Sequence, residues 1–327
     1  MPPDRAGTEA PDRVISVLLA VNPTSGSNSG AAAGRLTSSV LEHLDGGRRI
    51  ETALLVAGSA SELQTTVHRL LADTAGARRP DALVVVGGDG MVHLGVNLVA
   101  GTGLPLGIVA AGTGNDNARE LGLPVGDVAA AARLVRQALL SGTGRWVDAV
   151  RWNDDRGSTG WFSGVLGAGF DSIVNERANR WQRLRGRIRY DLAILRELPV
   201  FRPRPYTITV DGVEHRTDAV LVAVGNGPAY GGGLRICHGA VMDDGLIEVV
   251  VAGPVSRWGL LRLYPKVHSG AHLQHPAVRV LRGRRVRLEA PGIVGYADGE
   301  RLVPLPLTCE VVPGAIRLLA TDVPGSR

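Results

Sequence analysis

Lysine is nearly missing from this chain. Lys266 is the only one among 327 residues; the other basic side chains are arginines. A phosphate loop of the form G-x-x-x-x-G-K-[ST] is therefore excluded from the N-terminal half. Cysteine is scarce too. Cys237 and Cys309 form no paired motif, which argues against a disulfide scaffold and for a reducing cytoplasm. No apolar run reaches the ~18 residues of a membrane-spanning helix. The opening MPPDRAGTEAPDR has no apolar h-region, so residues 1–13 read as a disordered lead-in, not a signal peptide. Zinc-finger spacing and ribonucleoprotein aromatics are both missing, so nucleic acid is not an expected partner.

What is present is arginine, glycine and β-formers. Arginines cluster in 177–204 and 279–287. Such clusters suit solvated faces or an anionic surface such as lipid headgroups. Glycine, at 44 residues, forecasts many turns. Val14–Val21 (VISVLLAV) is a continuous apolar run, as a buried parallel strand requires. A helix over 31–44 follows, then a strand over 50–56. Ser59 and Glu62 form a capping box for the next helix. A third strand spans 81–86, with a helix after it to about Val99. A fourth spans 105–109, and Asp127 caps a helix running to about Leu140. Strands alternating with helices imply βαβ units and a parallel sheet.

The texture changes after Gly142. Strands are predicted over 146–152, 161–168, 206–210, 219–224, 246–251, 278–288 and 293–296, with 307–319 strand-like at the end. Helices are predicted over 171–198 and 256–270. Turn residues at these spacings suggest an antiparallel sandwich or barrel.

Ligands of a parallel sheet sit beyond the carboxyl ends of its strands. Three loops leave those ends: Asn22–Gly30, Gly87–Gly90 and Ala111–Asp116. Glycines there let backbone N–H groups approach phosphate oxygens, and helix N-termini add positive dipole. The first loop, NPTSGSNSG, misses the G-x-G-x-x-G dinucleotide spacing.

In order, NPTSG, GGDG, AGTGND, GAGFD at 167–171, GNGPAYGGG at 225–233, DDGLIEVV at 243–250 and ADGE at 297–300 resemble the diacylglycerol kinase catalytic domain family. That family includes bacterial diacylglycerol kinases and sphingosine kinases. The likeness covers about residues 14–319, and GGDGMVHLGVN with GIVAAGTGND looks most like the soluble lipid kinases of actinobacteria. GGDG by itself is shared with NAD kinases and phosphofructokinases.

The resemblance implies an ATP-dependent kinase of α/β plus β class, related in its first part to NAD kinases. An α/β nucleotide-binding domain (14–144, completed by 307–327) would join a β-sandwich lipid domain (145–306). Asn22, Ser25 and Gly26 match the first nucleotide loop. Gly88, Asp89 and Gly90 match the loop under the phosphates, and Gly112, Thr113, Gly114 and Asn115 the opposite wall. Mg²⁺ takes oxygen ligands, often one or two carboxylates plus phosphates and waters. Asp89 and Asp116 are candidates to order it; Asp116 is alternatively a helix cap. Glu300 matches the family's general base, and Asp298 the acid beside it, oriented toward the metal or water. Asp171 matches a lipid-headgroup position, with helix capping as the alternative. Asp244 and Leu246 match a structural Mg²⁺ segment, with a simple turn as the alternative.

Five positions depart from the family pattern. Met91 stands where threonine is usual, and His93-Leu94 where Asn-Glu is usual. Ser27 replaces a basic residue and His238 a proline. His268, His272 and His275 have i, i+4, i+7 spacing that could gather them on one helical face, although no carboxylate lies near.

The expected reaction is phosphorylation of diacylglycerol to phosphatidic acid. The enzyme would be cytoplasmic and touch the membrane transiently, through the 177–204 arginines with Trp181, Leu184 and Ile188; the family often pairs subunits, and the oligomeric state is open. Sphingosine- or ceramide-type acceptors, a soluble NAD kinase-like activity and a non-catalytic sensor remain the alternatives.

Overall fold

Residues 14–22, 30–43, 48–56, 60–72, 79–180, 192, 196 and 202–320 are described by the computed structural model. The first four strands are parallel: β1 (Ile15–Val21), β2 (Ile50–Val56), β3 (Ala82–Gly87) and β4 (Leu106–Ala110), in the order β2-β1-β3-β4. Their apolar runs are continuous because both faces are covered. Leu18, Ala20, Leu83 and Val85 point to one core; Val17, Leu19, Val84 and Val86 point to the other.

The helix α3 (Asp89–Val99) packs in the first core. The helices α1 (Gly30–Leu41) and α5 (Val128–Ser141) pack in the second, while α2 (Ala60–Ala72) adds Leu63 and Val67 to the first. A short helix, α4 (Asp116–Glu120), follows β4. Asp127 caps α5 as its sequence position predicts, accepting from Ala130 N–H at 2.8 Å.

The parallel sheet does not stop at β4. The long strand β16 (Leu307–Leu318) joins it in parallel at Leu318↔Leu106 and pairs antiparallel with β5 (Arg145–Asp154) and β13 (Arg285–Glu289). Beyond β13 come β8 (Arg204–Val210) and β9 (Val213–Ala219). Adding β6 (Thr159–Phe162) beside β5 makes one ten-stranded mixed sheet. A second sheet of six antiparallel strands runs β12 (Val278–Gly283), β11 (Ile247–Ala252), β10 (Leu221–Gly225), β7 (Val165–Gly169), β14 (Val294–Ala297) and β15 (Glu300–Pro304). Its Leu166, Val222, Val224 and Val249 meet Ile208, Val286, Leu288 and Cys309 of the first sheet in a shared core.

Several sequence expectations need correction here. The run 278–288 is two strands in different sheets, split at Arg284, whose N–H is held by the Asp211 carboxylate. Alternation by twos reports burial, not which sheet a strand joins. The run 161–168 likewise breaks at Ser163-Gly164. Strands β9 and β15 were not foreseen, because both lie on sheet edges and carry mostly exposed or polar residues. The helix α6 spans Phe170–Arg180. Trp181, Leu184 and Ile188 lie outside the described residues, as do 1–13, Ser25, Gly26, Ser27, Ser59 and 321–327.

The helix α7 spans Arg257–Val267 and gives way to a 3-10 turn at Ala271–Gln274. The three histidines are thereby dispersed. His272 is buried with Nε2 on the Ile236 carbonyl, whereas His275 Nδ1 accepts from Ala277 N–H. No metal-ligating cluster forms among the described residues.

Candidate active site

Two glycine turns meet back to back at the carboxyl ends of β3 and β4. A Cβ added at Gly112 would stand 2.3 Å from the Gly88 Cα, so only glycine lets the turns touch. Asn115, left-handed at φ 56°, ties the second turn: its Oδ1 accepts from Gly112 N–H and its Nδ2 donates to Gly112 O. Gly88 precedes the first residue of α3, Asp89, with no side chain capping it, so the helix end is left to whatever the turn binds. Asn22 reaches the same strand end, its N–H on the Val86 carbonyl. Thr113 and Gly114 complete the wall, and Gly114 lies over the Asp89 carboxylate, 2.6 Å from a would-be Cβ.

Asp89 bridges the two turns by accepting from Asn117 N–H at 3.3 Å, the long end of the hydrogen-bond range. Burial and then the neighbouring Asp116 raise its pKa. Asp116 is buried and already partnered. Arg119 donates to its Oδ1 at 3.0 Å and Gly232 N–H to its Oδ2 at 2.5 Å. It begins α4 and is not the cap; Asn115 holds that position. Asp116 therefore ties α4 to the 230–233 loop, and Arg235 with Glu120 adds a second tie at 3.2 Å.

The ADGE turn comes from the second sheet and lands on α3. Glu300 lies over α3: a Cβ on Gly90 would be 3.2 Å from its Oε1. Glu300 is exposed while Asp298 is buried. Asp298, expected to face a metal or water, has another job. Its Oδ1 accepts from Gly164 and Val165 N–H, and its Oδ2 from Ser163 N–H, with His93 Nδ1 at 3.3 Å. Three amides and an imidazole occupy the carboxylate, so it fixes the turn that carries Glu300.

Asp171 lies in the first turn of α6, which starts one residue before it; the expected capping of a helix from Ser172 is thereby corrected. Tyr230 OH donates to its Oδ2 at 3.1 Å, and its buried Oδ1 has no protein partner. Burial raises its pKa to about 6. The carboxylate presses on the backbone of β7, where a Cβ at Gly167 would fall 1.6 Å from Oδ2. Asp244 accepts from Leu246 N–H at 2.9 Å in a simple turn, and Asp148 holds the same loop through Gly245 N–H. No third acidic or imidazole ligand joins Asp244 among the described residues.

Some of these partners escape sequence reasoning. His93 registers in the sequence only as a departure from pattern, yet it links α3 to Asp298, and Asn97 bonds both the His93 and Trp161 carbonyls. Nothing in local sequence announces contacts across such separations. The Tyr230–Asp171 bond joins two noted motifs, GNGPAYGGG and GAGFD, although Tyr230 was not singled out in the sequence.

Comparison with known proteins gives one consistent answer. Residues 16–144 match the diacylglycerol kinase catalytic domain, and residues 164–320 match the YegS C-terminal NAD kinase beta sandwich-like domain. A Mycobacterium tuberculosis (strain H37Rv) protein named diacylglycerol kinase is 40% identical over 315 residues, covering 96% of this chain and 98% of its own length. A solved chain from Bacillus anthracis strain Sterne is 23% identical with a TM-score of 0.72, covering 94% of this chain and 97% of that one. An NAD kinase from Archaeoglobus fulgidus, solved in complex with ATP, shares the fold at TM-score 0.52 and 13% identity, over 93% of each chain. The chain belongs to the diacylglycerol kinase family.

Proposed function

We propose that this family member transfers the γ-phosphoryl group of ATP, with Mg²⁺, to the hydroxyl of diacylglycerol or a closely related lipid. The observation that carries the reading is Glu300 lying against Gly90, beside the helix end that the glycine turns leave open. A base must sit within reach of both the acceptor hydroxyl and the phosphate. The acceptor oxygen bonds to the γ-phosphorus, the bond to ADP breaks, and Glu300 takes the hydroxyl proton.

Asp89 fits a magnesium ion. A half-buried carboxylate beside Asp116 is disfavoured as an anion, and its backbone hydrogen bond is long. Mg²⁺ needs only one or two such carboxylates when phosphates and water complete the shell, and it would supply charge neutralisation there. Asp116, already bonded to Arg119 and Gly232, supports the wall and the field around Asp89. Asp171 accepts a hydrogen bond from the acceptor through its unpartnered Oδ1.

The lipid choice rests on the family and on Asp171, and diacylglycerol stands ahead of sphingosine- or ceramide-type acceptors on the relative's name. No helix among the described residues is long and apolar enough to cross a membrane. The acceptor would be met by transient docking from the cytoplasm; nucleic acid is not an expected partner, and pairing into a homodimer is open. The test is labelled ATP with Mg²⁺ and mixed micelles of diacylglycerol, sphingosine or ceramide, alongside NAD. Label should enter diacylglycerol. Label in NAD alone would reverse the assignment to a soluble kinase, and label in none would leave a nucleotide or lipid sensor.

A further inference from the structure

The helix α7 has two unlike faces. Leu260, Leu263 and Val267 turn inward and pack with Val250, Ala252 and Val278 of the second sheet. Trp258, Leu261, Arg262, Pro265 and Lys266 turn outward at i, i+3, i+4, i+7 and i+8. Trp258 is 74% exposed and Leu261 40%. A bare tryptophan on a basic helix is costly to leave in water and has a use at an interface.

The stretch of chain that carries it holds charge of one sign. From residue 249 to 283, the end of β12, there are five arginines and lysines and no aspartate or glutamate. Arg282 is paired with Glu248. Arg262, Lys266 and Arg279 form no ion pair among the described residues, and Val280 next to Arg279 is 39% exposed on the edge strand β12.

The helix also adjoins the acceptor end of the site. Tyr230, whose hydroxyl bonds Asp171, packs in the same cluster as Leu260 and Leu263.

We propose that the outer face of α7, Trp258, Leu261, Arg262 and Lys266, with Arg279 beside it, docks this protein onto an anionic lipid bilayer. The rings and leucine enter the headgroup boundary while the basic groups meet lipid phosphates. The inference deepens the lipid-kinase reading by giving that site a membrane-facing side. It differs from the expectation built on 177–204.

The experiment is flotation of the full chain with phosphatidylcholine vesicles, with and without phosphatidylglycerol, at low and high salt. Binding should require phosphatidylglycerol and weaken with salt. Trp258→Ser/Leu261→Ser and Arg262→Glu/Lys266→Glu should each lower vesicle partition by at least about tenfold. Circular dichroism and turnover of a water-soluble short-chain diacylglycerol should be unchanged in both. Equal partition of both variants and the parent would overturn the proposal. So would failure of the parent to bind vesicles, or self-association that Trp258→Ser/Leu261→Ser dissolves without any vesicle binding. Absence of turnover in every protein, with partition behaving as described, would sink the kinase reading alone.

Discussion

Two carboxylates in one site do opposite work, and each has its own test. Glu300 is exposed over Gly90, free to meet a hydroxyl. Glu300→Gln should keep the fold and ATP binding while kcat falls by about 10²-fold or more; calorimetric ATP titration beside single-turnover kinetics checks both halves. Asp171 is partly buried, its carboxylate held against the backbone of β7. Its folded pKa of about 6 lies above the ordinary 3.8, so between those values the native state holds a proton the unfolded chain has lost. Stability therefore falls as pH rises through that window and stays lowered above it. Asp171→Asn should raise Tm near pH 8, match the parent below about pH 4, and still lose kcat/KM toward the lipid. Equal Tm at every pH would show that the buried charge costs nothing. Asp89, Asp171 and Glu300 could be singled out in the sequence because each sits in a short motif. The job of Asp298 was not, since the amides of Ser163, Gly164 and Val165 that occupy it are more than 130 residues away.

At the scale of elements, the site is a meeting of turns, and their spacing is set by missing side chains. Gly112→Ala would drive a Cβ into the Gly88 backbone, which neither turn can yield without parting. Nucleotide affinity should drop by more than about tenfold, since overpacking of this kind costs ~1–3 kcal/mol. Gly126→Ala is the control. Its φ of +83° strains alanine but nothing lies within 4 Å, so it should lower Tm slightly and leave ATP binding alone. The parallel strands were readable because burial on both faces writes an unbroken apolar run. The 278–288 segment misled for the same reason: an alternating run looks alike whether its strand stays in one sheet or crosses to another at Arg284. Edge strands such as β9 leave almost no apolar signal at all.

The whole molecule is coupled through one sheet. Strand β16 pairs with β4, β5 and β13, so the nucleotide half and the sandwich half share backbone hydrogen bonds as well as side chains. Differential scanning calorimetry should show a single cooperative transition with van't Hoff and calorimetric enthalpies in agreement. Two resolved transitions would contradict the coupling. The resemblance already returns 307–327 to the first domain, and β16 does reach β4; composition alone could not name its neighbours, because a strand's sequence names its faces only. The return of β16 also orders events during synthesis. Leu318 meets Leu106, and Leu319 N–H meets the Leu106 carbonyl, only after more than two hundred further residues have been translated. Until that stretch clears the ribosome, β4 lacks its pairing to β16 at Leu106. A nascent chain of this protein would thus hold its parallel sheet one neighbour short through most of its own production.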